Sequence, residues 1–277
     1  MSFLLKINKL FKPVVHPFNL NNDGVKTYAM WQFEKGADTI KNYMGCATKE
    51  EMFEGKTVLD IGCGAGGKSL YYITLGAKHV YGVDVVASYK EESEALAKTL
   101  NLSEQFTFIH ADAKNLPYPD NSFDTIIMND AMEHVGEPEA VLKEVLRVLT
   151  KGGRVYINFP PYNHPFGAHL SDAINIPWVH LFFSEKTLIR DYKELVKDLP
   201  DGESRINFRI SKDENGKEYF SYINKMTIKR FKSILKKLDI KPIYYTEMPL
   251  RSIVAPLAKL PVLKEMFVKM AVCVIEK

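Results

Sequence analysis

Cysteine is scarce in this chain of 277 residues, and long apolar runs are missing from it. The three cysteines, Cys46, Cys63 and Cys273, lie far apart, which argues against a disulfide framework and against a Cys-x-x-Cys metal site. This usage fits a reducing compartment, and we expect a cytoplasmic protein. No run of about 18 apolar residues exists, so the sequence predicts no transmembrane helix. The first residues show no cleavage site after an apolar run, and we expect no secretory signal.

The net charge of +3 is unevenly distributed along the chain. Residues 205–277 hold 16 Lys and Arg against 7 Asp and Glu, whereas residues 51–204 hold 14 against 23. A basic C-terminal quarter can face phosphates, nucleic acid or anionic lipid, but it can equally be a solvated lysine-rich face.

Short β-branched runs alternate with helical patterns through the centre of the chain. This alternation predicts a parallel sheet covered by helices on both faces, which is a doubly wound α/β fold. The predicted strands are 57–61, 80–84, 106–109, 123–128, 154–159, 240–246 and 270–275. The predicted helices are 68–75, 88–100, 138–149 and 228–238, with a further helix that starts at the N-cap Ser184.

Four segments follow from this pattern. We expect an N-terminal arm or lid over 1–54, a core over 55–160, an insertion over 161–226 and a C-terminal part of the core over 227–277. The insertion begins in an aromatic, histidine-rich loop at 160–183. Its alternating stretch 205–223 contains Asn215-Gly216, which predicts a hairpin.

A glycine-rich turn follows the first predicted strand, in the run Asp60-Ile61-Gly62-Cys63-Gly64-Ala65-Gly66-Gly67. Glycines at a strand-to-helix turn let the backbone approach a ligand, and the N-terminus of the helix offers free N–H donors. Asp84 follows 20 residues after Gly64, where an acid that binds ribose is expected. The glycines alone fit NAD and S-adenosylmethionine equally well.

Three neighbouring features favour S-adenosylmethionine. A carboxylate at Asp60 can accept from a ligand ammonium or orient the loop amides, and it would repel a pyrophosphate. Asp112 follows the third strand, at a position suited to the exocyclic amine of adenine. The run Asn129-Asp130-Ala131-Met132-Glu133-His134-Val135 then follows the fourth strand.

With these residues in register, together with Lys151-Gly152-Gly153, residues 55–160 resemble class I S-adenosylmethionine-dependent methyltransferases. They are most similar to the broad group that includes the ubiquinone- and menaquinone-biosynthesis enzymes. The resemblance implies a Rossmann-like, seven-stranded, mostly parallel sheet whose last strand, here 270–276, is antiparallel. It implies S-adenosylmethionine as cofactor, but it is thin outside the core and says little about the substrate.

The resemblance also implies cofactor contacts from the glycine loop and from the strand ends that follow it. The residues at these positions are Asp60, Gly62, Cys63, Gly64, Gly66, Asp84, Val85, Asp112, Ala113 and Asn129. Asp84 would hold both ribose hydroxyls, and Asp112 with Ala113 would bind adenine. We assign Cys63 no chemistry, because a sulfonium leaving group needs no covalent step.

Histidines are the candidate catalytic residues. His134 suits a general base that removes a proton from an attacking hydroxyl, although a Glu-His pair here can also only orient the loop. His164 and His169 belong to the histidine-rich loop, which forms either a substrate-pocket wall or packed structure. The spacing of His164, His169, Asp172 and His180 matches no closed zinc motif, so we expect no metal.

Two apolar, basic stretches flank the core. One predicted helical face carries Phe3, Leu4, Ile7, Leu10, Phe11 and Val14, with Lys6, Lys9 and Lys12 nearby. The other stretch is 250–268. Each can pack on the core or contact an anionic membrane surface. Tyr28 and Trp31 can fold over the cofactor as a lid or belong to the core.

We therefore expect methyl transfer to an oxygen, nitrogen or carbon atom of a small-molecule, glycan or lipid-linked acceptor. A nucleic-acid methyltransferase is disfavoured, because the basic residues concentrate past 205 and residues 129–132 lack an Asn-Pro-Pro-aromatic signature. An NAD-dependent oxidoreductase and a non-enzymatic cofactor-binding protein at a membrane surface remain as alternatives. The sequence does not give the oligomeric state.

Overall fold

A computed structural model describes residues 2–20, 26–260 and 263–277 of the chain. Positions 261 and 262 of the second apolar, basic stretch lie outside the described residues. The strands in the described part of the chain are β1 (Thr57–Ile61), β2 (His79–Asp84), β3 (Phe106–His110), β4 (Phe123–Asn129), β5 (Leu149–Phe159), β6 (Ile210–Lys212), β7 (Glu218–Phe220), β8 (Tyr244–Pro249) and β9 (Val268–Glu276).

Helices precede, connect and follow these strands. The α-helices are α1 (Phe3–Asn8), α2 (Pro17–Leu20), α3 (Tyr28–Ile40), α4 (Lys49–Phe53), α5 (Gly67–Ile73), α6 (Tyr89–Thr99), α7 (Pro138–Val148), α8 (Val179–Phe182), α9 (Glu185–Val196), α10 (Gly202–Arg209), α11 (Ile228–Lys237) and α12 (Lys264–Phe267). Short 3-10 helices span Lys41–Tyr43, Ser103–Gln105, Ser252–Val254 and Leu257–Lys259. Among the described residues, every helix is too short or too polar to span a bilayer.

Seven strands form one sheet in the order β3-β2-β1-β4-β5-β9-β8. The five strands from β3 to β5 pair in parallel, and β9 is antiparallel to both of its neighbours. This arrangement confirms the predicted doubly wound fold with an antiparallel last strand. The carboxyl ends of β1, β2, β3 and β4 therefore meet at one edge of the sheet, where ligands bind in such folds.

Apolar side chains cover both faces of the sheet. Val58 packs in one cluster with residues of α4 and α5, and its neighbour Leu59 packs in another with residues of α7 and α11. This split follows from the two-residue period of a strand, which sends successive side chains to opposite faces. A third cluster joins α1, through the buried Leu4, to α9 and the rest of the insertion.

Several element boundaries differ from those predicted. β5 begins at Leu149 instead of residue 154, because Lys151-Gly152-Gly153 forms an irregularity within the strand, where Gly152 has a φ of +73°. β8 begins at Tyr244 instead of residue 240. Residues 205–209 belong to α10, so the hairpin around Asn215-Gly216 is limited to the short pair β6 and β7.

The first amphipathic stretch is only partly helical. Helix α1 ends at Asn8, so the predicted helical face does not extend to Leu10, Phe11 and Val14. The Asn8 side chain donates to the Ala173 carbonyl and accepts from the Asn175 amide, which ties the helix end to the insertion. These long-range bonds end the helical register that the apolar spacing predicted.

Candidate functional site

The glycine loop lies between β1 and α5 at the carboxyl edge of the sheet. Gly62, Gly64 and Gly66 have φ values of +71°, +56° and +74°, a region that L side chains rarely adopt. The Gly62 and Cys63 amides donate to the Val83 carbonyl at 2.8 and 3.1 Å, which fixes the loop beside the end of β2. The run predicted as a ligand-binding turn thus has the backbone shape that its glycines allow.

Asp84, at the end of β2, is joined to this loop. Its Oδ2 accepts from the Gly64 amide and its Oδ1 from the Val86 amide, both at 2.9 Å. Burial raises the pKa of Asp84. A carboxylate oxygen has two lone pairs, so each oxygen can accept a further bond from a ligand hydroxyl. Val85 stands next to it, largely exposed.

Helix α3 covers the glycine loop. The Gln32 side chain donates to the Cys63 carbonyl and accepts from the Gly67 amide, each at 3.3 Å. A Cβ placed on Gly64 would lie 3.3 Å from the Tyr28 hydroxyl, and the Tyr28 and Trp31 rings stack at 6.1 Å. Tyr28 thus lies against the loop, and Trp31 lies against Tyr28. The lid formed by these two residues stays a prediction, and Gln32 gave no sequence signal.

Asp60 is buried beneath the loop at the end of β1. Its Oδ2 accepts from the Ser69 hydroxyl on α5 at 2.6 Å. Burial raises the pKa of Asp60 to about 6. The contact with Ser69 links the strand end to the first turns of the helix. The predicted role of Asp60 in orienting the loop amides stays a prediction.

Asp112 and Ala113 follow β3 with opposite exposure. The Asp112 carboxylate is exposed, accepts from the Lys114 amide at 3.0 Å and lies 3.7 Å from the Lys114 ammonium. Ala113 is buried. An exposed carboxylate at this edge is open to a donor such as an adenine amine.

Asn129 ends β4 inside a buried polar network. Its Oδ1 accepts from the Tyr43 hydroxyl at 2.5 Å and from the Asn158 amide at 2.6 Å, and its own amide donates to the Tyr72 hydroxyl at 2.8 Å. The side chain therefore braces β4 against β5, against α5 and against the 3-10 helix Lys41–Tyr43. The predicted contact of Asn129 with the cofactor stays a prediction.

The turn after β4 brings Glu133 and His134 next to His169 of the insertion. The Glu133 Oε1 lies 3.9 Å from the His134 Nε2 and 3.8 Å from the His169 Nε2. The two imidazole rings meet edge to face at 4.9 Å. Burial raises the pKa of Glu133 and lowers the pKa values of both histidines.

Two residues of the insertion that the sequence did not single out hold this turn. The His134 Nδ1 lies 2.7 Å from the Tyr222 carbonyl, and a carbonyl oxygen only accepts, so Nδ1 carries the proton. The Asn224 amide donates to the Glu133 carbonyl, and its side chain donates to the carbonyls of Met132 and Val135. The turn is thus tied to the insertion along its length.

The other members of the histidine-rich set do not join this group. Asp172 lies 3.3 Å from Arg205 and 3.1 Å from Arg209, in a buried ionic cluster. The His164 Nδ1 accepts from the Phe166 amide, and the His180 ring packs on Tyr162 at 4.7 Å. Of the four residues whose spacing was considered for a metal, the structure places only His169 beside Glu133 and His134 in the described chain.

Comparison with known proteins agrees with this geometry. The family model of the methyltransferase domain matches residues 59–157. That stretch is similar to a methyltransferase domain. It spans β1 to β5, the glycine loop, Asp84 and the turn with Glu133 and His134.

Curated relatives and a solved structure are similar over different shares of the chain. Phosphoethanolamine N-methyltransferase 1 of Arabidopsis thaliana is 35% identical over 44% of the chain and 24% of the relative. Sterol 24-C-methyltransferase ERG6B of Gibberella zeae is 34% identical over 36% of the chain and 26% of the relative. The chain thus spans about a quarter of each relative. A putative sarcosine dimethylglycine methyltransferase from Galdieria sulphuraria has the same fold, with a TM-score of 0.55, 16% identity and coverage of 87% and 85%.

S-adenosylmethionine is the cofactor that the matched domain indicates, and the residues present fit it. Asp84 offers carboxylate acceptors to ribose hydroxyls, and the exposed Asp112 offers one to the adenine amine. Gly62 is so close to the turn after β4 that a Cβ there would lie 2.8 Å from the Ala131 Cβ. The loop therefore presents bare backbone between the two strand ends.

Proposed function

We propose that this protein transfers a methyl group from S-adenosylmethionine to a small-molecule or lipid-linked acceptor. The observation that carries the proposal is the contact between the glycine loop and the turn after β4, at Gly62 and Ala131. That contact sets the cofactor-binding backbone and Asp84 beside Glu133 and His134, at the edge of the sheet where doubly wound folds bind ligands.

The chain contributes binding, alignment and exclusion of water. The bound cofactor supplies an electrophilic methyl group. Asp84 and Asp112 bind the cofactor's donors, Gln32 holds the loop, and Tyr28 with Trp31 covers it. Alignment of donor and acceptor in a dry site can supply much of the rate enhancement of such a transfer.

A hydroxyl acceptor must also lose a proton, and His134 and His169 are placed to take it. Because the His134 Nδ1 donates to the Tyr222 carbonyl, the lone pair lies on Nε2, the atom that faces Glu133. The His169 Nε2 points to the same carboxylate. His164, whose Nδ1 is occupied by the Phe166 amide, is proposed to form part of the acceptor wall.

The class of acceptor is inferred from three observations. The two curated relatives are named for phosphoethanolamine and for a sterol, and a small or lipid-linked acceptor is in keeping with those names. The motif resemblance to ubiquinone- and menaquinone-biosynthesis enzymes supports the same class. The Tyr222 ring of the insertion borders the histidine pair, at 6.2 Å from the His134 ring and 6.5 Å from the His169 ring.

Exposed apolar side chains of the N-terminal arm and of α8 favour an additional contact with a membrane surface. Phe3, Leu10, Val15 and Phe182 are 69%, 81%, 79% and 73% exposed, and Lys6, Lys9 and Lys12 are exposed among them. The Phe3 and Phe183 rings lie 6.4 Å apart, which joins the arm to the insertion. Apolar side chains flanked by lysines are typical of peripheral contact with anionic lipid.

The first test is calorimetric binding of S-adenosylhomocysteine to the protein and to Asp84→Asn. We expect binding to the unchanged protein and a loss of about 10–100-fold in the variant, because a charged acceptor is removed. Asp198→Asn, at an exposed carboxylate, should bind normally. Binding of NADH in place of S-adenosylhomocysteine would refute the proposal.

The acceptor and the membrane contact are tested in two further assays. Transfer of a radioactive methyl group from S-adenosylmethionine is followed into lipid extracts and into soluble metabolites. Sedimentation with anionic vesicles compares the protein with a Leu10→Ser, Phe182→Ser double variant. Ile243→Ser, at an exposed apolar residue outside the arm and α8, is the control. Equal sedimentation of all three would contradict the membrane contact.

A further inference from the structure

We propose that Glu133, His134 and His169 bind a divalent transition-metal ion. Among the described residues, this is the one group of three potential ligand side chains whose ligand atoms all lie within 4.8 Å of one another. Two imidazole nitrogens and a carboxylate oxygen suit Zn²⁺, Co²⁺ and similar borderline ions. The inference goes beyond methyl transfer, since binding of the ion needs neither cofactor nor acceptor.

The geometry is close to that of an occupied site. The Glu133 Oε1 is 3.9 Å from the His134 Nε2 and 3.8 Å from the His169 Nε2. Ligand atoms bound at about 2.0–2.2 Å with tetrahedral angles are separated by roughly 3.4 Å. Small rotations of the side chains would therefore close the group around an ion.

The buried carboxylate of Glu133 is the feature that indicates a bound cation. Its side chain is 4% exposed, and neither carboxylate oxygen has a hydrogen-bond partner in the described structure. Lys68, whose positive charge acts on Glu133, is paired with Asp130 at 3.3 Å. Buried carboxylates are normally hydrogen-bonded, paired or bound to a metal, so this one lacks a partner that an ion would supply.

The imidazole of His134 is oriented as metal-binding imidazoles are. Its Nδ1 donates to the Tyr222 carbonyl, which leaves the unprotonated Nε2 directed at Glu133. A ligating histidine commonly donates its other ring N–H to a carbonyl or carboxylate, and this contact fixes its tautomer. The proton is therefore absent from the nitrogen that would bind the ion.

The backbone around the group is held from several sides. Asn224 binds the carbonyls of Met132, Glu133 and Val135, which fixes the turn. His169 has a φ of +52°, a strained conformation for a non-glycine residue, and its carbonyl accepts from Arg209. Strain of this kind persists where the surroundings over-determine a position, often at a functional site.

The site would keep an open coordination position. About a third of the His134 side chain and a quarter of the His169 side chain are exposed, at 35% and 24%, whereas Glu133 is closed off. Three protein ligands with one open side are typical of catalytic metal sites, in which a water or substrate oxygen completes the coordination. The ligand expected there is an oxygen atom of the acceptor. With an ion bound, the Nε2 lone pairs of His134 and His169 would be used in coordination, and the ion would take over from these histidines by lowering the pKa of the acceptor hydroxyl.

The test is calorimetric titration of the chelator-treated, full-length protein with Zn²⁺ alone. We expect one ion per chain, with affinity reduced at least tenfold in Glu133→Gln and in His169→Asn. The control variant is His79→Asn, because that ring binds Thr107 outside the group. Unchanged S-adenosylhomocysteine affinity in each variant shows that the fold is intact.

A second readout guards against a variant that fails to fold. Co²⁺ added to the unchanged protein should give visible absorption bands of a nitrogen- and oxygen-bound ion, and His134→Asn should abolish them. Equal Zn²⁺ affinity in all variants, or no Zn²⁺ binding and no Co²⁺ bands in the unchanged protein, would overturn the proposal. Neither outcome bears on cofactor binding, which the Asp84 experiment tests separately.

Discussion

The cofactor wall, residues 57–130, and the insertion wall, residues 161–226, are held together by different interactions. The cofactor wall consists of parallel strands and a glycine loop whose amides bond to Asp84 and to the Val83 carbonyl. The insertion wall depends on side-chain charges, because Asp172, Arg205 and Arg209 are paired while almost fully buried. Backbone bonds tolerate many side-chain changes, whereas a buried ion pair does not tolerate loss of one member.

The sharpest test of this difference is removal of one buried charge. Arg209→Met should lower the free energy of unfolding by about 3–5 kcal/mol at pH 7, because Asp172 loses a partner in the interior. Arg154→Met is the matched control: in its pair with Glu276 the side chains are 32% and 40% exposed, and we expect a loss below about 1 kcal/mol. Equal losses in urea titrations would show that burial does not distinguish the two pairs.

The cofactor wall should instead be sensitive to added side-chain atoms where two backbone segments are in close contact. A Cβ at Gly67 would lie 1.9 Å from the Ala29 carbonyl oxygen, where α3 crosses α5. Gly67→Ala should therefore lower the free energy of unfolding by about 2–3 kcal/mol and weaken S-adenosylhomocysteine binding. Gly136→Ala, where a Cβ meets no atom within 4 Å, should stay within about 0.5 kcal/mol. If Gly67→Ala is stable and binds S-adenosylhomocysteine with normal affinity, α3 can shift away from the loop without cost to folding or binding.

Acid should weaken the insertion wall through its half-buried histidines. Burial lowers the pKa of His180 from 6.5 to about 4, and that of His164, which faces His180 and Lys269, to about 4. The unfolded chain therefore takes up these protons first as the pH falls. Stability that is present above pH 6.5 is lost progressively down to pH 4, with a slope of up to about 1.4 kcal/mol per pH unit for each histidine.

His180→Phe isolates one of these contributions. As the pH is lowered from 6.5 to 4, the free energy of unfolding of this variant should fall less steeply than that of the unchanged protein. The difference in slope should be up to about 1.4 kcal/mol per pH unit, the contribution of one histidine. Above pH 7 the two pH profiles should run parallel. Profiles that remain parallel down to pH 4 would show that His180 takes no part in acid unfolding.

The smallest expected effect concerns the start of the helix that covers the loop. The Thr27 hydroxyl accepts from the Met30 amide at 3.2 Å as the N-cap of α3, and Thr27→Ala should cost about 1 kcal/mol of stability. Thr48→Ala removes the capping box of α4 and should cost a similar amount. We expect only Thr27→Ala to weaken S-adenosylhomocysteine binding, by about threefold. Equal affinities of the two variants would show that α3 does not contribute to cofactor binding.

The cofactor wall was largely predictable because its signals are local. A strand, its glycine turn and the acid at the end of the next strand lie within 25 residues, from Asp60 to Asp84, and the turn is stereochemically specified by glycine. The strand pattern likewise predicted the sheet, with errors of a few residues at β5 and β8. These elements follow from the periodicity of hydrophobic residues and from the residue types at turns, both of which are set by residues close together in the sequence.

The sequence by itself determined the doubly wound sheet, the glycine loop and Asp84. Only the tertiary structure decided which histidine of the insertion meets Glu133 and that Asp172 pairs with arginines. It also decided that Gln32 holds the glycine loop and that Asn224 holds the turn after β4. Those partners come from segments far apart in the chain, and the irregular loop 160–183 takes its shape from them. Spacing along a chain predicts contacts where a helix or strand fixes the geometry; between loops, the packing of the whole molecule fixes it.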